Sequence, residues 1–200
     1  MKIAKKFMTL ALATALGVGC ATVGVSAAGS RTSAITVSAE QSAIYEVVQK
    51  IEETEGFADL QAELPAVADA FKQVNEGKME VAGFVEVLKT LAEETTDEEV
   101  KAAIEELVEK LDGKEFVTGF DEFKVLDADK AEKNADGKYE VEISVPSITD
   151  TMENIQLVAY SKEDAKKWQI VDPISVDKEN KTLEVALDDG AFFTVVADAE

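Results

Sequence analysis

Residues Lys138–Pro146 read "KYEVEISVP". Tyr139, Val141, Ile143 and Val145 alternate with Glu140, Glu142 and Ser144, the period of a strand that buries one face. The same period returns at Leu183, Val185 and Leu187 in "KTLEVALDDG". Around these two stretches "EFVTGFDEFKVL", "NIQLVAY", "KWQIV", "ISV" and "AFFTVV" are further strand candidates. Ala135-Asp136-Gly137, Asp172-Pro173, Asp177 to Lys181 and Asp188-Asp189-Gly190 separate them with turn chemistry. So many short strands from Lys114 onward predict a β-sandwich over 114–200. Phe192 and Phe193 are adjacent, so a strand points them to opposite faces. One of the rings is then expected to meet something outside the sandwich core, with the helical half as the neighbour at hand.

Upstream of Lys114 the period is helical. Ile44, Val47, Val48 and Ile51 follow the i, i+3, i+4, i+7 spacing of one buried helix face, and Gly56 reads as its stop. A second stripe runs through Leu60, Leu64, Val67, Phe71 and Val74. Pro65 falls inside it, so a break is expected there, with the main helix starting at Pro65 and ending at Gly77. A third stripe places Val81, Phe84, Leu88, Leu91 and Ala92 on one side. The fourth helix has Thr96 as its expected N-cap, acids in its first turn, the stripe Val100, Ile104, Leu107 and Leu111, and Asp112-Gly113 as its close. Four amphipathic helices over 41–113 with short connections predict an antiparallel bundle. The expected fold class is therefore α+β, an N-terminal antiparallel helical bundle followed by a C-terminal β-sandwich.

Before the helices, residues 28–40 are small and polar and read as a flexible lead-in. Residues 1–27 read as a secretory signal peptide: Lys2, Lys5 and Lys6 form a positive head, and an uncharged run from Phe7 to Val25 follows, diluted by glycine and threonine. Val25-Ser26-Ala27 offers the small-residue cleavage site, so the mature chain is expected to start near Ala28 and to be secreted, without membrane insertion after cleavage. The alternative is a lipoprotein anchored through Cys20, but the place three residues before it is Gly17 rather than a large aliphatic residue.

The run from "DGKYEVEISVPSITD" through "NIQLVAYSKEDAKKWQIVDPISVD" to "GAFFTVVAD" resembles the C-terminal immunoglobulin-like β-sandwich of uncharacterised secreted and surface proteins of anaerobic Gram-positive bacteria. The resemblance implies an extracellular module of unassigned activity. It supplies no catalytic residues.

Composition narrows the chemistry. The sequence has no histidine and one cysteine, Cys20, which falls in the segment expected to be removed. Disulfides, thiol nucleophiles, Cys/His zinc sites and Ser-His-Asp triads each need one of those residues. No cofactor is implied. With 20 basic and 41 acidic residues the formal net charge is −21, which repels phosphate backbones and anionic lipids and argues against nucleic-acid binding. Asp127, Asp129, Glu132, Asn134 and Asp136 crowd one loop, but an EF-hand needs Gly at its sixth position, where Glu132 stands. That loop reads as a solvated hairpin connection, and no metal site is expected. Carboxylate pairs such as Glu52-Glu53 and Glu105-Glu106 fall on expected exposed helix faces, so catalysis is not expected. Two function classes stay open. One is a noncatalytic interaction or structural protein with a protein or glycan partner. The other is a carbohydrate or small-ligand binding protein that uses Trp168 and Tyr160 as stacking rings, although Trp168 also suits packing against the sandwich core.

Overall fold

The computed structural model describes residues 34–162, 164 and 167–199. The expected signal peptide, Cys20 and the start of the lead-in lie outside the described residues. Two strands come first, β1 (Thr36–Val37) and β2 (Tyr45–Val48), then a 3₁₀ turn at Ile51–Glu53. Four helices follow: α1 (Glu55–Glu63), α2 (Pro65–Asn75), α3 (Val81–Glu94) and α4 (Glu98–Lys110). The remaining strands are β3 (Lys114–Phe116), β4 (Asp121–Val125), β5 (Tyr139–Ser144), β6 (Gln156–Tyr160), β7 (Trp168–Val171), β8 (Ser175–Asp177), β9 (Thr182–Leu187) and β10 (Phe192–Asp198). The class is mixed α+β, with antiparallel sheets.

One sheet has the order β1-β5-β9-β8, and the other β2-β4-β10-β6-β7, with β3 pairing β10 beyond the end of β4. Between β3 and β4 the chain turns a corner on β10, where the Thr118 hydroxyl accepts from Val195 N and the Thr194 hydroxyl donates to Thr118 O, both at 2.9 Å. Residues of both sheets, including Val141, Ile143, Leu183 and Val185 from the first and Phe123, Leu157, Phe193 and Val195 from the second, share one apolar core. A second core lies on the opposite face of the second sheet and holds the helix stripes: Val67, Phe71 and Val74 of α2, Phe84 and Leu88 of α3, and Ile104 and Leu107 of α4. The sheet contributes Val158, Tyr160, Trp168, Phe192 and Val196 to that core.

The second sheet is therefore covered on both sides. Strand alternation divides its residues, so Phe192 packs under the helices and Phe193 in the inter-sheet core, as the adjacent pair predicts. A strand apolar on both faces is fully buried, and β10 is buried from Phe192 to Ala197.

Several expectations are corrected. The segment around Ile44, Val47, Val48 and Ile51 is not a helix: Tyr45–Val48 is a strand paired with β4, with Tyr45 opposite Val125 and Glu46 opposite Lys124. β-branched valines beside a tyrosine suit a pleated surface, and the Tyr45 ring gains Phe123 and Tyr139 as neighbours at 5.5 and 6.1 Å between centroids. The lead-in is partly structured, because Ile35 is buried and β1 pairs with β5. The helical stretch consequently begins at Glu55 rather than at 41, and it is bracketed by strands instead of preceding them all.

Gly56 is inside α1 rather than at a stop. A Cβ there would lie 2.5 Å from Glu122 Oε1, so glycine lets the first turn of α1 settle onto β4. Thr54 caps that helix by accepting from Phe57 N at 3.1 Å. The break at Pro65 is present, with α1 ending at Glu63 and α2 starting on the proline. The cap of α4 is Asp97 rather than Thr96: its carboxylate accepts from Glu99 N at 3.0 Å and Val100 N at 3.2 Å. An ionised acceptor at the positive helix end is the stronger cap.

Candidate functional site

Trp168 and Tyr160 are directly opposite on β7 and β6, with ring centroids 4.9 Å apart. Both are 1% exposed. Phe71 of α2 and Phe84 of α3 meet the indole edge to face at 6.2 and 6.1 Å. Neither ring presents a stacking face to solvent, and the expectation of a Trp168–Tyr160 sugar platform is corrected on that ground. The helices occupy the face on which a sugar would have to lie.

These rings belong to an aromatic cluster beneath the helices. Phe71 and Phe120 stack at 3.8 Å, with planes 10° apart, and Phe57 meets Phe192 edge-on at 6.2 Å. Asn75 at the end of α2 fixes the cluster to the β3–β4 corner: its amide donates to Phe120 O at 3.0 Å, and its carbonyl accepts from Phe120 N at 2.6 Å. Burial leaves some polar atoms of this layer without a hydrogen-bond partner, namely Tyr160 OH, Trp168 Nε1, Ser161 Oγ and Glu122 Oε2. The Tyr160 phenol is pushed up to about 12 by burial, with the negative charge of Glu63 adding to it.

The acidic residues do not assemble a reactive constellation. Asp121 and Glu122 are both buried, yet as neighbours on one strand they face opposite layers. A pair of carboxylates acting on one bond must share a cleft. Glu122 Oε2 has Lys124 Nζ at 3.4 Å as its nearest cation. In the loop after β4, Asp127 is ion-paired with Lys130 at 2.8 Å and held below the usual carboxylate range chiefly by that bond. Asn134 turns inward and accepts from Asp136 N and Lys138 N. Among the described residues no group of three or more acidic, histidine or cysteine side chains is placed to hold a metal ion.

A concave feature with a largely aliphatic wall lies within the helical layer. A crevice of about 250 Å³ runs between the α1–α2 junction and α3, with Leu64, Pro65 and Val67 on one wall and Val87 and Leu91 on the other. Glu63 and Thr90 lie on its rim, with Glu94 on the α3 side. It forms because Pro65 ends α1 and restarts the chain as α2, leaving Leu64 only partly buried beside half-buried Val87 and Leu91. Larger recesses between α3 and α4 and beside β8 mix apolar and charged lining, with Val85, Val108 and Leu111 beside Glu86 and Lys89 in the first and Ile155 and Val176 beside Asp172 and Lys178 in the second.

The acids around the crevice are incompletely neutralised. Lys162 bridges Asp59 and Glu63, each at 3.5 Å, whereas Glu94 has no ion pair among the described residues. Of this wall, the sequence places Leu64, Val67 and Leu91 in buried stripes, and Val87 in none. Nothing local revealed the crevice, because its walls come from segments separated by a whole helix. No protein-family model matches the chain, and no curated protein or solved structure matches it either.

Proposed function

We propose that this is an exported, noncatalytic interaction protein of the bacterial exterior, in which an immunoglobulin-like sandwich carries a helical layer that makes the contact. The strand order supports the finer fold reading. β1-β5-β9-β8 follows the A-B-E-D order of that sandwich, and β7-β6-β10 follows C′-C-F, with β4 lying where the G strand would lie. The four helices, inserted between β2 and β3, then form a compact roof in place of a free-standing bundle.

The observation that carries the functional reading is the aliphatic crevice between the α1–α2 junction and α3. It opens in a helical stretch, 55–110, with 15 acidic and 5 basic residues. A concave aliphatic surface rimmed by charge gives a partner's apolar side chain a place to be buried. The acidic surround keeps the protein apart from nucleic acid and anionic lipid and selects among protein partners.

A photo-crosslinking residue tests this. Placed at Thr90 on the crevice rim, it is expected to capture a macromolecule from the surface or medium of the producing cells. Placed at Glu142 on the exposed face of β5, it is expected not to. Equal capture at the two positions, or none at either, overturns the reading.

A further inference from the structure

The crevice has a size, a wall chemistry and an electrostatic surround, and together they specify its occupant. Pockets that enclose whole small ligands run from roughly 300 to 1,000 Å³, and this crevice, at about 250 Å³, is smaller. It suits one or two side chains presented by a larger body. Its walls are Leu64, Pro65, Val67, Val87 and Leu91, so those side chains are aliphatic.

Carboxylates stand on both sides. Glu63 closes α1 and Glu94 closes α3, and neither helix has a basic residue in its last turn. Both helices therefore end without a cationic side chain of their own, and a helix C-terminus favours cations. Glu93 in the last turn of α3, the α4 cap Asp97, and Glu98 and Glu99 in the first turn of α4 add acid next to Glu94 in the chain. A second copy of this chain carries the same excess of acid and would be repelled. A partner with cations on both sides of an aliphatic side chain is attracted by every one of these features.

We infer that the α1–α2/α3 crevice receives an extended cationic protein segment, inserting a leucine, isoleucine or valine between Leu64 and Leu91 while flanking lysines or arginines meet Glu63 and Glu94. This rests on the interaction reading above and names the chemistry of its partner. Affinity comes from the inserted aliphatic group, and orientation from the charges on either side.

Isotope-labelled protein titrated with short synthetic peptides and followed by amide NMR tests the inference. A lysine-flanked leucine peptide is expected to shift the amides of Leu64, Ala66, Val67 and 87–94 saturably, and to weaken as salt screens the carboxylates. Replacing its leucine with glycine is expected to weaken binding roughly tenfold or more, from the loss of one buried aliphatic side chain. Thr90→Lys, at an exposed rim position, is expected to abolish the shifts while leaving the melting temperature unchanged. Shifts spread over the acidic surface, and equal for the leucine and glycine peptides, would reveal nonspecific polyanion attraction and overturn the inference. Spermine shifting the same amides as strongly as the leucine peptide would make this a small-amine site and overturn it too. If crosslinking at Thr90 succeeds and the leucine peptide fails, only the named occupant falls; if both fail, the interaction reading falls with it.

Discussion

Tyr160 holds a hydroxyl in a layer where nothing accepts its proton. A buried donor without a partner has lost its hydration with no compensating bond. Tyr160→Phe keeps the ring contact with Trp168 and removes only the oxygen. It is expected to leave stability unchanged or raise it by up to about 1 kcal/mol, as read from the urea midpoint at neutral pH. Alkaline pH separates the two proteins further. The folded phenol titrates at about 12, against about 10 in an unfolded chain, so the native state favours the neutral form. That contribution is complete below pH 10 and is lost as pH rises from 10 to 12. The wild-type urea midpoint should fall over that window, and Tyr160→Phe should flatten the fall. The buried Tyr45 phenol is also raised, mainly by burial, but it is common to both proteins and cancels in the difference. Parallel slopes would show that the Tyr160 phenol is hydrated in the native state.

Strand β8 is an end strand of the first sheet, and it and its lead-in expose Ile174 and Val176 at 52% and 41%. An exposed edge with aliphatic side chains is a template for another strand, and short length or flanking charge and proline blunt it. Here Pro173 precedes the edge and Lys178 follows it. Ile174→Lys should therefore change the melting temperature little, within about 0.5 kcal/mol of stability, and should lower association in concentrated solution as measured by light scattering. A large loss of stability would mean that Ile174 packs in the inter-sheet core. At this scale the sequence was read well where the period was long and unopposed: the stripes of α2, α3 and α4 and the alternation of β5 and β9 appear in the structure, and Phe192 and Phe193 of β10 part to opposite faces as expected. It was misread at Tyr45–Val48, because the spacing of Ile44, Val47, Val48 and Ile51 fits a helix face while the valines and tyrosine fit a strand. The partner that decides, β4, lies beyond all four helices in the chain. The crevice was illegible for the same reason, since period reports which face is buried but not how two faces leave a gap between them. Trp168 offered both readings, and only the position of α2 and α3 over the sheet separates core packing from a stacking platform.

Charge acts on the molecule as a whole. Residues 40–113 hold 20 acidic and 6 basic side chains, and residues 114–200 hold 21 and 10, so both the stretch that contains the helices and the strand-rich remainder repel themselves. Surface ion pairs such as Lys89–Glu86 and Lys110–Glu106 are exposed and offset little of this. Monovalent salt screens like charges over a Debye length of about 8 Å at physiological ionic strength and should raise the melting temperature modestly. Calcium chloride matched for ionic strength should do no more, because a specific site would add stability that saturates near its dissociation constant. A calcium-only rise in midpoint at low concentration would reinstate Asp127, Asp129 and Asp136 as ligands.

The order of the strands also bears on how the molecule is made. Strand β10 lies between β4 and β6 and supplies Phe192 to one core and Phe193 to the other, yet it follows every other described element in the chain. A polypeptide emerging from its N-terminus first carries all four helices and every other described strand before the one on which both layers close. Until then β4 and β6 each lack their neighbour, and the aromatic underside of the helices has no floor. Pairing across such sequence distance is slow to find, and unpaired edges invite misassembly in the interval. Closure is thus deferred to a late event, and loss of these few residues would leave a nearly full-length chain with neither core complete.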